Sequence, residues 1–147
     1  MQRPLLVGEY EVTLDAKNRI AIPARLRPNF AEGIYIAQET ERCLGGYNPD
    51  EFQRRLQEDV DVTAAGTVQR RDVKRRLAAT AVMFPEFDKQ GRVTLPAKHL
   101  DYAGISRDVT IIGVADHLEI WDRAAWTEYL AHLEEEADAS ADEHPAS

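Results

Sequence analysis

The stretch Asp15-Ala16-Lys17-Asn18-Arg19-Ile20-Ala21-Ile22-Pro23-Ala24-Arg25 returns later in the same chain as Asp88-Lys89-Gln90-Gly91-Arg92-Val93-Thr94-Leu95-Pro96-Ala97-Lys98. The spacing is a constant 73 residues, without a gap. Asp15/Asp88, Arg19/Arg92, Pro23/Pro96 and Ala24/Ala97 are identical, and Ile20/Val93, Ile22/Leu95 and Arg25/Lys98 are conservative pairs. Farther on, at a spacing of 74, Leu44 meets Leu118, Tyr47 meets Trp121, Asn48 meets Asp122, Phe52 meets Trp126 and Leu56 meets Leu130. The chain therefore reads as two halves that repeat one order of elements.

Ahead of the first motif, Tyr10, Val12 and Leu14 alternate with Glu9, Glu11 and Thr13, the period of a strand with one buried face. Behind it, Ile20 and Ile22 alternate with Arg19 and Ala21. Ala16-Lys17-Asn18 between them reads as a tight turn, so a β-hairpin is expected. Asn18 and Gly91 share one position, and both tolerate positive φ. Pro23 and Pro96 stop the ladders and suit the start of short helices, expected over residues 24–26 and 97–100. The next strands fall at Ile34-Tyr35-Ile36-Ala37 and Val109-Thr110-Ile111-Ile112, followed by short strands around Leu44 and Leu118. A helix closes each half. Asn48 or Asp122 is its N-cap, Pro49 takes the first helical position, and Phe52 with Leu56, or Trp126 with Leu130, makes an i, i+4 apolar pair.

The fold expected is β-rich α+β, with a first half over residues 1–57, a basic helical connection over 58–80, a second half over 81–133 and an acidic flexible tail over 134–147. The tail is too poor in apolar residues to offset the entropy of ordering. Net charge is −8, which argues against nucleic acid at first sight. Six acids and no Lys or Arg lie in residues 134–147, however, so residues 1–133 sum to only −2. The segment from Lys17 to Arg27 carries Lys17, Arg19, Arg25 and Arg27 and no acid. No apolar run approaches the roughly 20 residues that span a bilayer, and the first residues hold no long apolar core of a secretion signal. A cytoplasmic protein is expected. Cys43, the single cysteine, can form neither an intramolecular disulfide nor a cysteine-based zinc site within one chain, and reads as a small buried hydrophobe.

The repeated Asp-x-x-x-Arg, followed by apolar, any, apolar, Pro, Ala, resembles the AbrB-type swapped-hairpin DNA-binding domain. Two copies in one chain narrow the resemblance to the MraZ family. It is carried by Gly8-Glu9-Tyr10, Thr13-Leu14-Asp15-Ala16-Lys17-Asn18-Arg19-Ile20, Ile22-Pro23-Ala24-Arg25, Phe87-Asp88-Lys89-Gln90-Gly91-Arg92-Val93 and Leu118-Glu119-Ile120-Trp121, over about residues 8–130. The resemblance implies two AbrB-like halves interlocked in one unit, and a ring-shaped homo-oligomer. It also implies a transcriptional regulator of the bacterial division and cell-wall gene cluster that binds short repeated motifs in double-stranded DNA upstream of its own operon, and hence sits at the nucleoid. The first copy departs from the family pattern in carrying Asn18 where Gly is usual, as does the opening segment, residues 2–7.

A lone Asp/Arg pair flanking a turn reads first as a cross-strand salt bridge. The double occurrence and the family resemblance favour a second reading: Asp15 and Asp88 orient Arg19 and Arg92 toward a phosphate or a guanine edge, while Lys17 and Lys89 add phosphate charge from the turn. Arg25 and Arg27, with Lys98 repeating the first of them, either touch DNA backbone or solvate a helix. The basic run Arg70, Arg71, Lys74, Arg75 and Arg76 reads as a solvated face or as a partner for acids on a neighbouring subunit in preference to a DNA helix. Trp121 and Trp126 read as core or subunit interface. The histidines form no i, i+4 pair, so neither metal nor cofactor is expected. No catalytic signature accompanies Cys43, His99 or His117, so an enzyme and a small-molecule substrate are not expected. Two rivals stay open: an antitoxin-like DNA-binding module that neutralises a partner through an extended C-terminal tail, and a structural ring protein without a DNA role.

Overall fold

The computed structural model describes residues 3–58 and 67–143. Eight strands appear in the order β1 (Glu9–Thr13), β2 (Arg19–Ala21), β3 (Ile34–Gln38), β4 (Leu44–Tyr47), β5 (Val82–Phe84), β6 (Arg92–Thr94), β7 (Asp108–Gly113) and β8 (Leu118–Asp122). Four helices join them: α1 (Pro49–Gln57), α2 (Thr67–Thr80), α3 (Ala97–Ala103) and α4 (Arg123–Glu143). The fold is β-rich α+β.

The larger sheet runs β1-β7-β8-β4-β3-β5, and β2 pairs with β6 in a separate two-stranded ladder. This order is symmetric about its centre: β7-β8 of the second half meets β4-β3 of the first, and each outer strand comes from the opposite half. β1 lies antiparallel on β7 with Tyr10 opposite Ile111, while β5 lies antiparallel on β3 with Tyr35 opposite Met83. Both ladders are therefore exchanged between halves, and the two halves interlock as the resemblance implies.

The expected hairpin needs correction in its pairing. The turn is present, closed by Asn18 N–H to Asp15 O at 3.0 Å and Asp15 N–H to Arg19 O at 2.9 Å. Its arms then part: β1 goes to β7 and β2 to β6. The cause is burial. Ile20, Ile22, Val93 and Leu95 sink into one shared core with Leu14, Phe30, Ile34, Ile111 and Ile120, and that core is reached only if β2 turns away from β1. Apolar burial at about 25 cal/mol per Å² outweighs the few ladder bonds that a local hairpin adds.

Smaller differences have local causes. Residues 24–26 form a turn instead of a helix, and a 3-10 helix follows at Arg27–Phe30. Pro23 and Pro28 bracket the segment, and its N–H groups bond three residues back, as Leu26 to Pro23 O at 2.9 Å and Asn29 to Leu26 O at 3.3 Å. In the second half, where no second proline intervenes, α3 runs past Leu100 to Ala103 and stops at Gly104, φ 66°. β5, a strand that the sequence patterning does not announce, is short and only half-buried. Of the acidic tail expected over 134–147, residues 134–143 are helical as the end of α4, and 144–147 lie outside the described residues. Within the basic helical connection expected over 58–80, α2 is helical from Thr67, and residues 59–66 lie outside the described residues.

Two smaller cores flank the sheet. Phe52 of α1 and Leu77 of α2 cover Ala37 and Tyr47, with Phe52 stacked 4.5 Å from the Tyr35 ring. On α4, Trp126 and Tyr129 cover buried Trp121, and Cys43 is fully enclosed beside it. Burial pushes the Cys43 thiol well up, so it stays a protonated hydrophobe.

Candidate nucleic-acid interface

The two-stranded ladder sets the geometry. β2 and β6 run antiparallel with Arg19 opposite Thr94 and Arg92 opposite Ala21, and two bonds extend the ladder: Ile22 N–H to Gly91 O at 2.9 Å and Leu95 N–H to Asn18 O at 2.8 Å. The two Asp-x-x-x-Arg turns, 73 residues apart in sequence, thereby lie side by side.

Each aspartate organises its own turn. Asp15 Oδ1 accepts from the Lys17 and Arg19 N–H groups, both at 2.9 Å, and its Oδ2 accepts from Arg19 Nε at 2.7 Å. Asp88 repeats this with Gln90 N–H at 2.9 Å, Arg92 N–H at 2.8 Å and Arg92 Nε at 2.8 Å. A cross-link joins the copies, since Arg92 Nη1 reaches Asp15 Oδ2 at 3.4 Å. Both carboxyls are held below the usual carboxylate range, first by the arginine backbone N–H, against an opposing desolvation, and then by the guanidinium and the second turn N–H. Each aspartate takes the Nε edge of its arginine. The Arg19 terminal nitrogens and Arg92 Nη2 are left without a hydrogen bond among the described residues, on side chains 28% and 26% exposed.

The turns adopt one backbone conformation. Asn18 has φ 61° and Gly91 φ 74°, so the Asn at the first turn sits in the left-handed region that a Gly would take. Lys17 and Lys89 are exposed at the turns, and Arg25 and Lys98 are exposed beyond them. Glu86 lines the same shallow depression as Arg19, Asp88 and Arg92.

A sequence model of the family described as "MraZ protein, putative antitoxin-like" matches residues 5–75 and again 78–145, one match to each half. The chain belongs to the MraZ family. Proteins bearing the name "Transcriptional regulator MraZ" are similar along nearly their whole length. The Micrococcus luteus protein is 39% identical over 131 residues, 88% of this chain and 90% of the relative. That of Mycolicibacterium smegmatis is 36% identical over 139 residues, 95% and 96% of the two chains. That of Bifidobacterium longum is 39% identical over 132 residues, 90% and 87%.

Within this MraZ fold the paired turns bring together Asp15, Lys17, Arg19, Lys89, Asp88 and Arg92, while Arg25 lies on the turn that follows β2. The basic run lies on α2, and its polar contacts among the described residues go elsewhere: Arg75 to Asp72, and Arg76 to the Tyr102 hydroxyl. Arg27 departs from expectation. It opens the 3-10 helix but does not project into solvent: its Nε donates to Ile22 O at 2.6 Å and its Nη2 to Gln90 O at 3.3 Å, so it folds back over the second turn. Comparison of the halves could not reveal this, because Leu100 stands at the matching position. The one trace in the sequence is Gly91 where the first copy has Asn18.

Proposed function

We propose that the chain is a sequence-specific transcriptional regulator that reads double-stranded DNA through the paired turns. The observation that carries this reading is the juxtaposition of two turns whose aspartates engage Arg19 and Arg92 through Nε. A guanidinium held by that edge keeps terminal nitrogens for a guanine edge or a phosphate, the former being the commonest specific protein–DNA contact. Lys17 and Lys89 supply phosphate contacts from the turns, and Arg25 does so beside them, while Asp15 and Asp88 orient the arginines. The name borne by the relatives supports the same reading.

In this proposal the targets are short repeated motifs upstream of the protein's own operon in the division and cell-wall gene cluster. The chain works as a ring-shaped homo-oligomer at the nucleoid, in the cytoplasm, with no cofactor, no metal and no small-molecule substrate. No helix among the described residues is long and apolar enough to cross a membrane. The antitoxin-like alternative requires an extended C-terminal segment, whereas Arg123–Glu143 is one helix. Footprinting on the DNA upstream of this protein's gene tests the reading. Protection of repeated short motifs is expected, and it should vanish in the Arg19→Ala, Arg92→Ala double variant. A wild-type protein that protects nothing there rules out regulation of its own operon, and no gel shift on any duplex leaves the structural-ring alternative.

A further inference from the structure

We propose that Arg27 is a positioning residue that braces the second turn and leaves the first unbraced, so that the two DNA-reading turns are unequal. This rests on the DNA reading above. The Arg27 guanidinium bridges Ile22 O of the first half and Gln90 O of the second turn. It also occupies the space a side chain at position 91 needs: a Cβ built on Gly91 would lie 2.1 Å from Arg27 Cζ and 2.2 Å from its Nε.

The difference between the two turns follows from this contact. Asn18, with φ 61°, demonstrates that a residue bearing a Cβ holds this backbone conformation in the same fold. Positive φ is therefore not the whole reason for glycine at 91. The guanidinium packed on it is the rest. On the other side of the pseudo-symmetry, Leu100 replaces Arg27 and is buried in α3, so no guanidinium reaches the first turn from the matching position. The ladder bonds of the two turns are otherwise equivalent, 2.9 Å from Ile22 and 2.8 Å from Leu95. Beside the Arg92 contact with Asp15, Arg27 is thus the asymmetric element that acts on a turn's backbone. It fixes the backbone that carries Lys89 and Arg92, lowering the ordering cost when that turn meets DNA. Lys17 and Arg19 meet DNA from a turn held by its aspartate, its ladder and the 3.4 Å contact of Arg92 with Asp15, with no guanidinium on its backbone carbonyls among the described residues.

Two measurements on the full chain test this. The first is amide hydrogen exchange without DNA in Arg27→Ala, and in Gly91→Asn, which keeps the backbone conformation of Asn18 and evicts the guanidinium. Exchange should quicken severalfold at Gly91 and Arg92, whose N–H groups donate to Asp88, and stay unchanged at Asn18 and Arg19. The second is a pair of double-variant cycles on DNA binding. Arg27→Ala alone should weaken specific binding roughly tenfold. That loss should nearly disappear in a Lys89→Ala background and persist in a Lys17→Ala background. Unchanged exchange at the second turn in both variants overturns the brace. Faster exchange with an equal loss in the two lysine backgrounds overturns the positioning role and makes Arg27 a direct DNA contact. If the wild type binds no DNA, the functional reading fails, while the exchange data still decide whether Arg27 braces the turn.

Discussion

Arg19 commits its Nε to one aspartate, Arg92 commits Nε and Nη1 to two, and both keep at least one terminal nitrogen, a division that decides how their variants behave. Partly exposed ion pairs such as these, formed within a turn, contribute only about 0.2 to 1 kcal/mol to stability, whereas a good bidentate base contact carries about 1 to 3 kcal/mol of discrimination. Arg19→Ala and Arg92→Ala should therefore leave circular dichroism and melting nearly unchanged while removing specific binding. Lys17→Ala should behave differently, weakening all duplexes alike and lowering the salt slope by about 0.9 for each phosphate no longer neutralised, with specificity kept. An Arg19→Ala, Arg92→Ala protein that stays folded and binds with unchanged affinity and salt dependence would show that the motifs are only structural.

A second residue-scale expectation concerns His117, on the connection between β7 and β8. Its ring stacks on Tyr47 of the first half, its Nδ1 lies 2.6 Å from Asp116 and its Nε2 lies 3.8 Å from Glu119. Burial pulls the imidazolium down, yet the carboxylates of Glu119, Asp116 and nearby Glu39 outweigh it, and the net pKa is raised. Burial also raises Glu39, against the opposing Tyr47 hydroxyl. A raised folded pKa contributes stability that is fully present below the unfolded value of about 6.5 and is lost as pH rises through the folded value. The wild-type melting temperature should fall as pH rises above about 6.5, and His117→Gln should flatten that decline. Parallel curves for the two proteins would refute the assignment.

At the scale of elements, the two closing helices use one capping position at different depths. Asn48 Oδ1 accepts from Glu51 N–H at 2.9 Å, and its Nδ2 donates at 2.9 Å to Asn29 Oδ1, which is also buried. Asp122 accepts from Ala125 N–H at 3.1 Å and is only half-buried. Asp122→Ala should cost about 1 kcal/mol, the value of a cap. Asn48→Ala removes a cap and also strands a buried oxygen, for a total of about 2 to 4 kcal/mol. Equal losses in denaturant melts would mean that the Asn29 hydrogen bond contributes nothing. The caps themselves were legible, because Asn48-Pro49 and the Phe52/Leu56 spacing are local signals. So were the strands that show period two, and the turn with its Asp and Arg. What could not be read is which strand lies beside which: alternation in Tyr10-Glu11-Val12 reports a buried face and says nothing of a neighbour near residue 111. β5 escaped because Val82-Met83-Phe84 shows no alternation. The helical end of α4 escaped because composition reports a lack of core contacts, while backbone hydrogen bonds can extend a helix that is already nucleated at Trp126 and Tyr129.

For the whole molecule, size-exclusion chromatography with light scattering should report an assembly well above the 16.6 kDa chain even without DNA. A clean monomer at working concentration would remove the proposed ring. If several pairs of turns engage repeated sites at once, deleting one DNA repeat should weaken binding far more than truncating one arginine does, because the linked sites act through effective concentration. A decline no steeper than that single truncation would argue for independent units.

The exchange of outer strands also sets a clock during synthesis. Tyr10 lies opposite Ile111, so β1 leaves the ribosome about 100 residues before the strand it pairs with. At about 5 to 20 residues per second, the wait is about 5 to 20 seconds, during which the inward faces of Tyr10 and Val12 have no partner. The nascent first half is consequently the period of greatest exposure to proteases and to aggregation, and a holding chaperone has work to do there. Ribosome-bound chains stopped before Asp108 should be cleaved readily within residues 9–13, and release of the complete chain should end that sensitivity. Protection of β1 in the stopped chains would mean that it finds another shelter while it waits.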